Sequence, residues 1–509
     1  MAKILLDTNI IIHREANKIV NKDIGILFNW FDRLKYEKWV HRLTVEEIKK
    51  HKDPDIVSTM EAKIRNYHIQ TIDSHDNEVI ERIRKNDTSE NDSNDTSILK
   101  ELYFNRFDYL ITEDRNIHKK ANLLSISEKV FTIDSFLEKV NAENPELVNY
   151  KVLSVKKVKF GEVNIKDSFF DSFKNDYAEF ENWFVRKSEE LSYVCLTDGA
   201  VRAFLFLKVE GTDENYSDVT PILPPKKRLK IGTFKVESTG LKLGERFLKI
   251  IFDNALINNV DEIYVTIFGN TEEQIRLIRL LEDWGFTFWG EKSTQNGIEK
   301  VYIRDFRQAV NTMSPKLSFP LVSGNTNKFI VPIYPDYHTS LLPDSILNTE
   351  SPTNFEENEP FRNAIQKVYI SRSINRNLNP GDLIIFYRTK EPGSNAYYNS
   401  VVTTIAIVEN TIQNIANEEQ FIKLCRKRSV FTDDDLRAHW NHNPRYRPFI
   451  VNFLHVYSLP RRINLQRLIE LGVIANITSV PRGFEPLNDT QFQSIISESG
   501  SVTNFLKGK

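Results

Sequence analysis

The chain has 509 residues, 40% hydrophobic and 27% charged, with a formal net charge of −2. That length is too great for one hydrophobic core and calls for about three domains. The near-neutral balance excludes a globally basic nucleic-acid binder, and only two cysteines, Cys195 and Cys425, exclude a disulfide framework or a cysteine zinc site.

The chain begins Met1-Ala2 and runs at once into an apolar strand, Lys3–Leu6. No signal-peptide core and no apolar run of membrane-spanning length follows, so a cytoplasmic protein without a membrane partner is expected. A continuous apolar strand suits a sheet covered on both faces. Helical stretches come next, then strands at 109–112 and 130–132, which together predict a three-layer α/β block over residues 1–141. Residues 86–94 (NDTSENDSN) lack apolar periodicity and read as a polar loop.

Four acids stand out in this block. Asp7 and Asp114 end the apolar runs, while Glu47 (in TVEEI) and Asp95 (in DTSIL) read as helix starts. Carboxylates that converge repel one another unless a divalent cation neutralises them. Hard Mg²⁺ or Mn²⁺ prefers such oxygen donors and can activate water against a phosphodiester. Glu46 and Asp92 are the alternatives to Glu47 and Asp95. Arg115, His118, Lys119 and Lys120 follow Asp114 on a helix and either meet phosphate or form a solvated face.

Taken in order, Leu6–Asn9, Val45–Ile48, Asp95–Ile98 and Ile111–Arg115 resemble the PIN domain family. The resemblance implies a metal-dependent ribonuclease in which Asp7, Glu47, Asp95 and Asp114 are catalytic and ligate Mg²⁺ or Mn²⁺. Thr8, Asn9 or Thr112 would orient the ligands.

The second block, residues 150–308, reads as a mixed sheet with two helices. A hairpin at 193–209 turns at Asp198-Gly199, a strand at 229–237 leads through a turn to a helix at 245–258, and a strand at 263–267 precedes a helix at 272–284. A strand at 301–303 closes it. The stretch FKVESTGLKLGERFL (residues 234–248) and the later LLEDWGF (residues 280–286) resemble the GNAT acetyltransferase family. In that family a strand splays and a glycine-rich turn grips the CoA pyrophosphate through backbone N–H groups. The resemblance implies acetyl-CoA as cofactor, with Val236, Thr239, Gly240, Lys242 and Gly244 at its site. Two departures stand against the pattern. Lys242 takes the first-glycine place, where it either adds charge to a phosphate or fills the turn, and Leu281 replaces the usual catalytic tyrosine.

A linker at 309–320 leads to the third block, residues 321–509. Strands are expected at 329–333, 367–370, 382–387, 401–408 and 449–457, which predicts a small twisted β-barrel with helices. The NPGD turn (379–382), the LIIFY strand and the late PRGF (481–484) resemble the PUA-like barrels of the EVE and YTH groups. That resemblance implies a reader of RNA or of modified nucleic acid. Between residues 361 and 470 roughly sixteen Lys/Arg face nine Asp/Glu. Arg426, Lys427, Arg428, Arg445, Arg447, Arg461 and Arg462 interleave with Tyr387, Tyr397, Tyr398, Trp440 and Tyr446, a mixture that suits bases and backbone phosphates.

The sequence thus points to a multidomain α/β and α+β protein. Its leading reading is a divalent-metal-dependent endoribonuclease with an acyl-CoA-binding domain and a nucleic-acid reader, acting on RNA, including tRNA or modified nucleic acid. By analogy this architecture suits a toxin or defence effector. The alternatives are an N-acetyltransferase as the main activity and a non-catalytic nucleic-acid-binding regulator.

Overall fold

A computed structural model describes residues 2–15, 22–50, 57, 64, 67–143, 155–197, 199–237, 242–345, 364–426 and 428–508. They fall into two compact units, Met1–Asn149 and Tyr150–Lys509.

In the first unit, β1 (Lys3–Leu6), β2 (Glu37–His41), β3 (His68–Gln70), β4 (Tyr109–Ile111) and β5 (Val130–Phe131) form one sheet in the order β3-β2-β1-β4-β5. All its pairings are parallel. Successive residues of β1 point to opposite faces. Ile4 and Leu6 enter an apolar cluster with Phe28, Phe31 and Phe136, and Leu5 enters another with Leu99, Leu102 and Leu110. A central strand buried on both faces is what its unbroken apolar run foretold.

Three local expectations are corrected. Residues 86–94 are not wholly loop, because Ser89 caps a helix, Glu90–Tyr103, by accepting the Asp92 N–H. Asp95 therefore lies in the second turn of that helix. Glu47 sits near the end, not the start, of helix Arg42–Lys49. Polar helix heads lack the apolar periodicity that marks helix bodies, which is why composition misled here.

The second unit holds two large sheets. The first orders β6 (Val155–Lys159), β7 (Leu191–Thr197), β8 (Ala200–Glu210), β9 (Val219–Thr220), β10 (Arg228–Val236), β11 (Glu262–Ile267), β12 (Thr287–Thr294) and β13 (Gly297–Asp305) as β6-β7-β8-β10-β11-β13-β12-β9. Only β10 and β11 pair in parallel; helix Leu243–Ile257 makes their crossover. The sequence foresaw 301–303 but missed the long β12–β13 hairpin, whose alternating charged residues carry little apolar signal.

The remaining strands are β14 (Val322–Ser323), β15 (Lys328–Ile333), β16 (Gln366–Ser371), β17 (Leu383–Arg388), β18 (Val401–Ile412), β19 (Phe449–Asn464), β20 (Glu485–Leu487) and β21 (Leu506–Lys507). Six of them form an open sheet, β16-β19-β18-β17-β15-β20, while β14 and β21 pair apart. The closed barrel expected here is corrected: among the described residues β16 and β20 do not pair. Strand lengths and spacing do not reveal whether a sheet's edges meet. Before β17, Gly381 turns with φ +89°, and a Cβ there would come within 2.7 Å of Thr312. Asp382 fastens the turn by accepting the Asn379 N–H at 2.8 Å. One apolar cluster spans both large sheets, joining Phe247, Trp284 and Phe319 to Ile405 and Leu454. No described helix is long and apolar enough to cross a membrane.

Candidate functional sites

In the first unit, Asp7 leaves the carboxyl end of β1 and Asp114 lies just beyond β4, the edge where parallel sheets gather ligands. Asp7 is buried. Its Oδ1 accepts the Thr8 N–H at 2.7 Å and its Oδ2 accepts the Thr112 hydroxyl at 2.6 Å. The same Thr112 oxygen accepts the Asp114 N–H at 3.0 Å, and Asp114 caps helix Arg115–Leu123. Glu47 accepts the Thr8 hydroxyl on one oxygen and the Asn94 side-chain amide, at 3.0 Å, on the other.

The four acids feel one another. Burial, reinforced by Glu47 and Asp114 and opposed by hydrogen bonds from Thr112 and Thr8, pushes the Asp7 carboxyl up to about 6. Burial and the charges of Asp114 and Asp7 push Asp95 up to about 7, with Lys120 opposing. The alternatives have partners of their own, although the charge of Asp92 also reaches Asp95. Glu46 is exposed and pairs with Arg42 at 3.2 Å, and Asp92 accepts from Thr88. Sequence reasoning missed Asn94; its one signal was its place directly before Asp95.

Two of the nearby cations turn inward. His118 Nε2 lies 3.1 Å from the Thr112 carbonyl, and Lys120 donates to Asp87 at 2.8 Å and Thr96 at 3.1 Å. Arg115 and Lys119 are exposed on the helix.

The donor set suits a hard cation, since every ligand is a carboxylate and two carry raised pKa values that a cation would relieve. Its spacing is open. Among the described residues no three of these carboxylates bring oxygens within 4.8 Å of one another; the group that does is His41, Asp73 and Glu101. That second group is an ion-pair knot. Arg42 grips Asp73 at 2.7 Å, Ser74 and Arg106 fill Glu101, and His41 Nδ1 accepts the Leu43 N–H, leaving the proton on Nε2. Mg²⁺ keeps several waters and takes one or two carboxylates directly, so the quartet fits a hydrated cation and not a closed protein cage.

In the second unit, β10 and β11 stay paired only from Arg228 opposite Glu262 to Ile231 opposite Val265. Beyond that point β10 bonds to β8 alone and β11 to β13 alone, so the two parallel strands part and open a crevice. The parting begins at a bulge at Gly232, where a Cβ would come within 2.7 Å of the Phe206 ring. Val236 ends β10 on the crevice, Lys242 adopts the left-handed φ of 56°, and Gly244 lies in the first turn of helix Leu243–Ile257, packed on Leu280. Thr239 and Gly240 lie outside the described residues.

Lys242, read as adding charge to a phosphate or filling the turn, has an acidic neighbour of its own. Its Nζ pairs with Glu245 at 2.9 Å. Glu245 is buried and also accepts the Ile365 N–H at 3.0 Å, while Arg428 stands 4.0 Å away. Burial acts to raise this carboxyl, but Lys242, Arg428 and Lys316 outweigh it and hold it at about 2. Next to it, Arg246 grips Asp344 at 2.6 and 2.7 Å. Leu281 is fully buried, so the place of the missing tyrosine is core.

The basic set of the third block is largely consumed by the fold. Arg426 pairs with Asp433, Arg428 donates to the Gln366 carbonyl, Arg447 lies over Trp440, and Arg462 donates to the Thr403 carbonyl. Tyr387 and Trp440 are buried, and Tyr446 packs under Arg376. Arg445, Arg461, Tyr397 and Tyr398 are exposed; Lys427 lies outside the described residues.

No protein-family profile matches the chain, and no curated protein does. Solved structures do. A GNAT-family acetyltransferase from Streptococcus agalactiae is 11% identical, covering 31% of this chain and 98% of its own, with a TM-score of 0.20. Ard1 from Thermoplasma volcanium is 12% identical over 30% of this chain and 98% of its own, with a TM-score of 0.23. The IAA acetyltransferase from Bacillus cereus is 14% identical over 30% and 99%, with a TM-score of 0.22.

Proposed function

We propose that the second unit transfers an acyl group from a CoA thioester to an amine. The observation that carries this reading is the parting of β10 and β11 after Ile231 and Val265, with helix Leu243–Ile257 beginning just beyond β10. Parted strands expose backbone N–H and C=O groups that an extended pantetheine-like chain can bond. The first turn of the helix, with Gly244, offers N–H groups for its phosphates. Acetyl-CoA is the cofactor this reading calls for, with Val236, Lys242 and Gly244 as candidate contacts among the described residues. Glu245 makes the site less cationic than its sequence suggests, so its affinity rests on backbone donors. Isothermal calorimetry with acetyl-CoA tests the reading: saturable one-site heat supports it, and no heat at millimolar ligand overturns it.

A second reading belongs to the first unit: metal-dependent cleavage of RNA. It rests on four carboxylates from separate segments, where burial, reinforced by neighbouring negative charge, holds Asp7 and Asp95 well above the usual carboxylate range. Asp7, Glu47, Asp95 and Asp114 would hold Mg²⁺ or Mn²⁺, which when bound supplies an activated water and relief of charge at the leaving oxygen. Thr8, Thr112 and Asn94 hold three of the four acids in place. The exposed arginines and tyrosines of the third block would help to select a nucleic-acid substrate, as a toxin or defence effector requires. Incubation of labelled RNA and single-stranded DNA with Mn²⁺ tests it; Asp7→Asn and Asp114→Asn should each abolish cutting, and cutting that survives both sinks the reading.

A further inference from the structure

The acyl-transfer crevice lacks the family's tyrosine, because position 281 is a buried leucine. Another tyrosine stands on the opposite side of the sheet's open end. Tyr177 follows helix Asp171–Asp176, and its hydroxyl donates to Glu299 in β13. Glu299 is 3% exposed. It lies one residue from Lys300, whose partner Ile267 ends β11 on its parted stretch. The Tyr177 ring packs against Phe268, the residue after β11, with centroids 5.3 Å apart. Asp176 beside it accepts from Gln274 at 2.8 Å, which fixes this corner to the head of helix Glu272–Asp283. A half-buried phenol backed by a buried carboxylate thus lies where the two parallel strands have separated.

The charges around this pair are mixed. Asp176 precedes Tyr177, Lys292 is the cross-strand partner of Glu299, and Lys230 on β10 feels both Glu299 and Lys292. Lys235, on the parted stretch of β10, is tied to Glu237 at 3.0 Å and to Ser172. Burial and the charge of Glu299 hold the Tyr177 phenol well above its usual range, so its proton leaves only if another takes its place.

Resting on the acyl-transfer reading, we infer that Tyr177 and Glu299 form the proton-accepting pair for the acceptor amine, Tyr177 touching the amine and Glu299 acting through it. The neutral amine nitrogen attacks the thioester carbonyl carbon. As the C–N bond forms, an N–H proton passes to the Tyr177 oxygen while the Tyr177 proton passes to Glu299. The C–S bond breaks and the thiolate leaves with its electron pair. Glu299 returns the proton through the same phenol, and the thiolate takes up that equivalent as free CoA thiol. The acceptor is an amine that arrives as a cation and sheds one proton before attack, drawn by the carboxylates of Asp176 and Glu299.

The test is thiol release from acetyl-CoA by the full chain with spermidine, a lysine-containing peptide and a peptide with a free α-amine. Glu299→Gln and Tyr177→Phe should each lower kcat by about 100-fold. Acetyl-CoA affinity by calorimetry should stay within about twofold, and Glu299→Asp, which keeps the carboxylate, should recover part of the lost kcat. Tyr177→Phe keeps the ring on Phe268, so it decides the matter if Glu299→Gln misfolds. A Tyr177→Phe protein with wild-type kcat and pH profile overturns the inference alone. A wild-type protein that neither binds acetyl-CoA nor releases thiol overturns the acyl-transfer reading and this inference with it.

Discussion

Two buried carboxylates, one in each unit, behave in opposite ways. Asp7 is pushed up to about 6 and Glu245 is held at about 2. Burial acts on both in the same direction. The difference lies in their neighbours: Asp7 faces Glu47 and Asp114, whereas Glu245 faces Lys242, Arg428 and Lys316. Asp344, half-buried and tied to Arg246, follows Glu245 and is held far below the usual range. A compensated acid serves the fold, and an uncompensated cluster waits for a partner from outside. The same acidic residue type therefore marks a structural joint in one unit and a candidate centre in the other.

The largest expected effect breaks the joint. Glu245→Ala strands the Ile365 N–H and removes the buried carboxylate that faces Lys242 and Arg428, which should cost about 3–5 kcal/mol in the urea unfolding of the second unit. A loss below about 1 kcal/mol would erase the contrast between the two acids.

Next comes a change of opposite sign. The raised carboxyl of Asp7 means that the folded state holds its proton up to about pH 6, while the unfolded chain releases it near 3.8. Stability of the metal-free first unit should therefore fall as pH rises from 4 through about 6, and the loss stays in force above that. Asp7→Asn removes this penalty and should stabilise the metal-free protein by about 1–3 kcal/mol at pH 8, with the pH dependence flattened. Destabilisation at pH 8 would show that the acids are already compensated.

A divalent cation should do to the wild type what Asp7→Asn does to the chain. Mn²⁺ at about 100 times its Kd should raise unfolding free energy by about 2.7 kcal/mol, and Asp7→Asn or Asp114→Asn should abolish the gain. An equal gain in the variants would place the ion elsewhere.

The smallest effect concerns the hydroxyl that holds two of the acids. Thr112→Val deletes the bond to Asp7 and the acceptor for Asp114 N–H, costing about 1 kcal/mol. It should also move the Asp7 titration upward, read by carboxyl NMR; an unmoved titration would remove Thr112 from the site.

Much of this was legible in the chain itself. The unbroken apolar run of Lys3–Leu6, the acids at strand ends, and the strand and helix that flank residues 238–241 follow from local periodicity, which neighbouring residues alone decide. Asn94 as a partner of Glu47, the β12–β13 hairpin, the open third sheet and the internal use of Arg426, Arg428 and Arg447 did not show in it. The Asn94 contact and the open sheet depend on residues tens of positions apart, the hairpin lacks an apolar signal, and the arginines meet partners that local patterning does not single out. The sequence by itself determined which residues carry charge and where strands and helices alternate. Tertiary structure decided what those charges meet, and so whether a buried carboxylate is pinned, as at Glu245, or left repelling its neighbours, as at Asp7. Electrostatic energy depends on distance and burial in space, and neither is written along the chain.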